Sequence, residues 1–292
     1  MAQLQKLPSW FRQEIPDMEK VRAMKNLFRA DRLHTVCESA HCPNLGECWS
    51  KGTATFMILG DVCTRACRFC AVSSGRPLSV DADEPRHVAL AIQKLNLRYV
   101  VVTSVARDDL PDEGANHFAK TIFEIRNLLP HVKIEILIPD FSAKKESLKI
   151  VVDAKPEVLS HNIESVRRLS KKIRPQADYD RSLEALRLMK ELDPSMITKS
   201  SFMVGLGETF DEIKQVMQDV LLAGCEILTI GQYLAPSGEK RHIPVERFVT
   251  PQEFEEYKKL GLQMGFRSVL SGPLVRSSYI AEEGYSECFA TV

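Results

Sequence analysis

The stretch Thr53-Ala54-Thr55-Phe56-Met57-Ile58-Leu59-Gly60-Asp61-Val62-Cys63-Thr64-Arg65-Ala66-Cys67-Arg68-Phe69-Cys70 decides how the rest of the chain is read. Thr53–Leu59 is a short apolar run sized for a buried strand. Gly60 breaks it, and a loop follows with three cysteines spaced C-x3-C-x2-C. A cubane iron–sulfur cluster has four irons and is usually held by four thiolates. Three thiolates leave one iron open to a chelating substrate or cofactor. In parallel α/β folds chemistry sits beyond the C-terminal ends of the strands, and this loop occupies that position after the first strand.

A second triplet precedes it. Cys37, Cys42 and Cys48 read C-x4-C-x5-C. Two triplets side by side suggest an enzyme with two clusters, each with one unusual corner. A disulfide framework belongs to small secreted domains, which this chain does not resemble. A structural zinc site takes four ligands. His34 and His41 complete such a set with the first triplet, but the second has only His87 nearby. Cys225, after Gly224 in an apolar stretch, reads as a small core residue. Cys288 is expected near the exposed C-terminus and has no argued role.

Strands and helices alternate downstream. Strands are expected at Tyr99–Ser104, Val132–Ile138, Val158–Ser160, Ile197–Val204 and Ile227–Gln232. Helices are expected at Pro85–Leu95, Ala115–Leu128, Ala143–Val152, Ile163–Lys171, Asp180–Glu191, Thr209–Leu222 and Pro251–Met264. The strands are nearly continuous apolar runs, the mark of parallel strands covered on both faces. The expected fold is α/β, a partial (β/α)6 barrel with an N-terminal cluster-binding extension and a C-terminal closing segment. An open doubly wound sheet is the alternative, but no G-x-G-x-x-G follows the first strand. The expected division is 1–50, 51–265 and 266–292. In the first part Met18–Arg32 reads as a helix, and the cysteine region around Pro43, Asn44 and Gly46 reads as loop.

The 292 residues are 44% hydrophobic, enough for a sizeable core, and their formal net charge is zero. That balance gives no case for nucleic-acid binding. No apolar run approaches a membrane span, and the N-terminus lacks a signal-peptide core. A reducing cytoplasmic location fits the thiols. Polar residues at strand ends are candidate cofactor contacts: Ser104, Arg107, Asn162, Lys199 and Gln232. Each has a structural alternative; Asn162 suits a helix cap, and Arg107 with Asp109 an ion-paired turn. The cluster Arg167, Arg168, Lys171, Lys172 and Arg174 reads as a carrier-docking patch or a solvated helix face.

The C-x3-C-x2-C loop after a first strand resembles the radical S-adenosylmethionine superfamily. The segment Leu33-His34-Thr35-Val36-Cys37-Glu38-Ser39-Ala40-His41-Cys42-Pro43-Asn44-Leu45-Gly46-Glu47-Cys48-Trp49 is similar to that of the lipoyl synthase family. So are Thr103-Ser104-Val105-Ala106-Arg107-Asp108-Asp109-Leu110, His161-Asn162-Ile163-Glu164 and Gly205-Leu206-Gly207-Glu208-Thr209. Arg174-Pro175, with Ala177, Tyr179 and Arg181-Ser182-Leu183, matches too, as does Leu228-Thr229-Ile230-Gly231-Gln232-Tyr233-Leu234 with Pro236-Ser237. The resemblance runs from Leu7 to about Ala281.

It implies two 4Fe–4S clusters and S-adenosylmethionine, two molecules per product. Cys63, Cys67 and Cys70 would hold the radical cluster, with Phe69 near the adenine or shielding the cluster. Cys37, Cys42 and Cys48 would hold the sulfur-donating cluster. Its fourth ligand would be a serine of Arg276-Ser277-Ser278-Tyr279, Ser278 being favoured and Ser277 left open. The implied reaction inserts sulfur at C6 and C8 of a lysine-bound octanoyl chain. Implied partners are octanoylated lipoyl-carrier domains of 2-oxoacid dehydrogenase complexes and the glycine cleavage H protein. An electron donor such as flavodoxin or ferredoxin and a cluster-repair protein are implied as well. A methylthiotransferase is the nearest rival, but its additional N-terminal and nucleic-acid-binding domains are not seen. A non-enzymatic iron–sulfur or zinc protein is the second. Two departures from the family pattern stand out: Asp112-Glu113-Gly114-Ala115 for Asp-Gly-Gly-Ala, and Lys199-Ser200-Ser201 for Lys-Ser-Gly.

Overall fold

The computed structural model describes residues 6–289. They fall into two compact units. One comprises Gln13–Arg65 and Ala71–Leu159; the other comprises Ala66–Cys70 and the chain from Ser160 onward, with the segment before Gln13.

The first unit opens with helix α1 (Met18–Ala30), whose N-cap Asp17 accepts from Glu19 N at 3.1 Å and Lys20 N at 3.3 Å. Its buried Phe28 packs on Trp49 and on the edge of Phe56, at centroid distances of 5.4 and 5.7 Å. Strand β1 (His34–Thr35) pairs antiparallel with β2 (Thr55–Ile58), which is buried at every residue. Between them lie two short helices, α2 (Val36–Ser39) and α3 (Leu45–Ser50), in the region expected to be loop. A small pair, β3 (Val62–Cys63) with β4 (Ser73–Ser74), flanks the cysteine loop. Then come α4 (Glu84–Lys94), β5 (Tyr99–Ser104), α5 (Ala115–Leu128), β6 (Lys133–Leu137), α6 (Lys145–Asp153) and β7 (Val158–Ser160). Strands β2, β5 and β6 are parallel neighbours. Helix α5 buries Phe118, Ile122 and Ile125, one stripe at helical spacing.

The second unit carries α7 (Arg167–Ile173), α8 (Tyr179–Leu192), β8 (Ile197–Val204), α9 (Phe210–Leu222), β9 (Ile227–Gln232), α10 (Pro251–Met264), β10 (Ser268–Gly272) and α11 (Ala281–Glu287). Strands β8, β9 and β10 are parallel neighbours. Capping boxes start α9, at Thr209 and Glu212, and α10, at Thr250 and Glu253. Six β/α units thus follow one another along the chain, as expected. Strand β10 is a parallel strand beyond the expected six.

One expected helix starts later than its sequence suggested. Residues 161–164 run alongside β8, so Ile163 and Glu164 do not coil as expected: His161 N donates to Lys199 O at 3.1 Å, and Glu164 N to Ser201 O at 2.9 Å. Glu164 takes a left-handed φ of +66° at the turn out of this segment. Helix α7 then starts after N-cap Val166, so Asn162 does not cap it. No helix among the described residues is long and apolar enough to cross a membrane.

Candidate functional site

The first triplet is assembled by short local elements. Cys37 lies on α2, Cys42 in the turn after it, and Cys48 on α3. Thr35 caps α2 by accepting from Glu38 N at 3.3 Å. Cys42 N donates to Cys37 O at 3.0 Å, and Cys48 N to Asn44 O at 2.9 Å. Burial pushes the Cys37 thiol up to about 11, and the nearby Cys42 adds to the rise. Burial pushes Cys48 up to about 12, with Cys37 and Cys42 adding to it. All three thiols are free, and the bond from Cys42 N to Cys37 O holds two of them on one turn of chain.

Among the described residues the buried indole N–H of Trp49 has no formed hydrogen bond, and it lies close enough to Cys37 to favour its thiolate. Thiols held neutral by burial, beside an unmet donor, fit a cluster whose iron takes over the charge. Among the described residues no three His, Cys, Asp or Glu side chains converge on a single metal ion. Each thiolate of a cubane binds its own iron, so a cubane does not need three side chains to meet at one ion.

The second triplet begins on β3. Cys63 Sγ accepts from Arg65 N at 3.4 Å and from Ala106 N at 3.3 Å. Thr64 N donates to Ala106 O at 3.0 Å, and its hydroxyl reaches Asp108 Oδ2 at 2.7 Å. Arg65 forks onto Asp108, with Nη2 2.6 Å from Oδ1, and also reaches the fully buried Asp140 at 2.8 Å. Burial opposes the Arg65 charge, but the bonds to Asp108 and Asp140 outweigh it and hold the guanidinium protonated. Neither Arg65 nor Asp140 was singled out from the sequence, although Arg65 stands inside the motif.

The rest of the loop belongs to the second unit. Ala66 N donates to Gln176 Oε1 at 3.2 Å, and Arg68 N to Ile173 O at 2.8 Å. Arg68 Nε reaches Arg241 O at 3.2 Å, and Ile243 N returns a bond to Arg68 O at 3.1 Å. The buried His242 lies between Ser237 Oγ, 2.7 Å from Nδ1, and Cys70 O, 3.1 Å from Nε2. Cys67, Phe69 and Cys70 are half-buried. His242 is a second loop-holding residue that the sequence did not reveal.

The strand-end candidates divide. Ser104 is the last residue of β5, and its buried hydroxyl has no partner among the described residues. Asn162 follows β7 by two residues; its Nδ2 donates to Glu164 Oε1 at 3.1 Å, while its buried Oδ1 has no partner among the described residues. Unmet polar atoms beyond strand ends fit a polar ligand such as S-adenosylmethionine. Glu164, which accepts from Asn162, is a further residue not expected here; burial raises its pKa, with Arg174 and Asn162 pulling the other way.

Arg107 makes the ion-paired turn, with Nε and Nη2 each 2.9 Å from Asp109. Gln232 has both amide functions engaged: Oε1 accepts from Val249 N at 2.8 Å, and Nε2 donates to Tyr233 O and Arg247 O, each at 3.0 Å. Lys199 is not at a strand's C-terminal end. It is the third residue of the eight in β8 and shares a row with Ile227 and Ser268. Helix α11 covers that row, where Ser268 Oγ donates to Glu287 Oε2 at 2.5 Å.

The family departures are accommodated. Gly114 keeps the turn with φ +95°, where a Cβ would come 2.4 Å from Leu59 Cδ1. Glu113 accepts φ +53° and pairs with Lys144 at 2.9 Å. Ser201 is buried within β8. Ser277 and Ser278 occupy the middle of a turn closed by Tyr279 N donating to Arg276 O at 3.0 Å. Cys225 is buried, as expected. Cys288 is buried too, not exposed, its thiol 3.5 Å from Gly284 O on α11. Within the basic cluster, Arg167 pairs with Asp180 and Arg168 with Glu212, while Lys171 and Lys172 are exposed.

The sequence model of the Radical SAM superfamily matches residues 57–220. Among solved structures, HydG, a maturase of the FeFe-hydrogenase, aligns with a TM-score of 0.57 at 15% identity, over 95% of this chain and 61% of that one. Methylornithine synthase (PylB) aligns with a TM-score of 0.52 at 14% identity, over 91% of this chain and 85% of that one. Fold, cysteine loop and sequence match together define a radical S-adenosylmethionine protein. A lipoyl synthase of Rubrobacter xylanophilus is 56% identical over 94% of this chain and 85% of its own length. One of Caldanaerobacter subterraneus is 53% identical over 96% and 97%. The chain belongs to the lipoyl synthase family.

Proposed function

We infer that this chain inserts two sulfur atoms, at C6 and C8, into an octanoyl group carried on a protein lysine. The observation that carries this reading is that one chain of the lipoyl synthase family holds both the free Cys37, Cys42 and Cys48 triplet on short capped helices and a separately built C-x3-C-x2-C loop. When bound, the two 4Fe–4S clusters supply, respectively, the electron that cleaves S-adenosylmethionine to a 5′-deoxyadenosyl radical and the sulfur that is inserted.

The protein's part is to hold and to shield. Cys63, Cys67 and Cys70 would hold the radical cluster, with Phe69 beside it. Arg65 and His242 fix the loop on which these thiolates stand. Ser104 and Asn162 each offer an unmet polar atom to S-adenosylmethionine, and Glu164 is an acceptor next to Asn162. Arg107, Lys199 and Gln232 act through structure rather than contact. Residues 1–50 would carry Cys37, Cys42 and Cys48, residues 51–265 the barrel, and residues 266–292 the serine ligand, Ser278 or Ser277.

The substrate is protein-bound and the reaction needs a reductant. We assign the carriers to 2-oxoacid dehydrogenase complexes and the glycine cleavage H protein. Flavodoxin or ferredoxin fits the reductant, and a repair protein would rebuild the donor cluster. A cytoplasmic location suits the reduced thiols. The test is anaerobic incubation of the reconstituted protein with reductant, S-adenosylmethionine and an octanoyl-lysine peptide. Mass spectrometry should find the dihydrolipoyl peptide. Radical formation with no sulfur in the peptide would refute the reading.

A further inference from the structure

The strand β9 contains a glycine that its backbone does not require. Gly231 lies inside the strand and shows no left-handed φ. A glycine in a strand interior forgoes side-chain packing and marks a place where another backbone comes close. Here that backbone belongs to the segment after β10. Gly231 pairs in register with Gly272, and Val275 N turns back to Gly272 O at 3.1 Å. The turn lays Val275's carbonyl over Gly231. A Cβ on Gly231 would stand 2.0 Å from Val275 O and 3.0 Å from Val275 C, both backbone atoms that no rotamer change removes. The same carbonyl accepts from Arg276 Nη1 at 2.6 Å. Arg276 O in turn closes the tight turn with Ser277 and Ser278 at its centre.

We propose that Gly231 is a positioning residue for sulfur insertion. Its bare Cα is the seat for Val275 O, Arg276 holds that carbonyl down, and the pair sets where the serine turn stands. The inference rests on the reading of that turn as the source of the donor cluster's fourth ligand. Any side chain at 231 must push Val275 O outward by about 1 Å to reach a real contact distance. The serines move with it, while the machinery of radical formation keeps its own residues.

The experiment compares Gly231→Ala and Arg276→Gln with the unaltered chain, all reconstituted anaerobically. Hydrogen exchange of the peptide over 273–280 reads the turn directly. Exchange at Tyr279 N–H should quicken at least tenfold in both variants. Lipoyl product should fall at least tenfold, and 5′-deoxyadenosine formation should stay within twofold. Arg276→Gln removes the clamp without a clash, so it decides the matter if Gly231→Ala folds poorly. Unchanged exchange in Arg276→Gln, or full sulfur insertion with a loosened turn, overturns the proposal. If Ser277→Ala and Ser278→Ala both retain full sulfur insertion, the ligand reading fails. A quickened exchange at Tyr279 would then still establish the clamp as structure, without a role in catalysis.

Discussion

Arg65 Nη2 donates to Asp140 Oδ1 at 2.8 Å and thereby ties the cysteine loop after β2 to the end of β6. Asp140 is fully buried and Arg65 nearly so. Breaking a buried pair by removing one partner leaves the other charge uncompensated and costs about 3–5 kcal/mol. Arg65→Met is therefore expected to lower the urea midpoint sharply, and Arg65→Lys less so, because the ammonium keeps the charge but not the fork. Equal midpoints for Arg65→Met and the unaltered chain would show that the tie carries no stability.

The radical cluster should depend on each of its thiolates. Cys63→Ala, Cys67→Ala and Cys70→Ala are each expected to abolish reductive cleavage of S-adenosylmethionine. The readout is 5′-deoxyadenosine by chromatography. Normal yield from Cys67→Ala would remove that residue from the ligand set.

The two triplets should separate functionally. Replacing Cys37, Cys42 and Cys48 together is expected to halve the bound iron, from about eight to about four per chain. Sulfur insertion should vanish while 5′-deoxyadenosine still forms. Lipoyl product from such a variant would place the sulfur source elsewhere.

A cluster that gives up both sulfurs is spent after one product. The isolated protein is expected to yield about one lipoyl group per chain, since one donor cluster is present on each. Product counted against protein, with no sulfur or iron donor added, checks this. Sustained turnover would exclude sacrificial donation.

The fourth ligand of the donor cluster can be read by comparing three variants. Ser278→Ala, or failing that Ser277→Ala, should lose lipoyl product and keep 5′-deoxyadenosine. Cys288→Ala should retain both, because its thiol is packed against α11 and raised by burial to about 11. Failure of Cys288→Ala alone would shift the ligand role to that thiol.

Much of the architecture could be read from pattern. Tyr99–Ser104, Val158–Ser160, Ile197–Val204 and Ile227–Gln232 are strands over the expected bounds, and α5 and α10 match residue for residue. These segments are continuous apolar runs or long amphipathic stripes, so local pattern and burial agree. Both cysteine triplets were legible for a different reason: their spacing is a constraint on chemistry, not on packing.

What the chain alone determined was the alternation of elements and the identity of the six thiols. Tertiary structure decided the rest. Helices of four and six residues at Cys37 and Cys48 are too short to nucleate alone; capping by Thr35 and the packing of Trp49 on Phe28 hold them. Asn162 does not cap the following helix because its segment found backbone partners on β8. Lys199 and Gln232 read as strand-end contacts until register and side-chain bonding placed one under α11 and turned the other onto a loop. Arg65, Asp140 and His242 acquire their roles only across many residues of sequence. Such partnerships depend on distances in the folded chain, which no local pattern encodes.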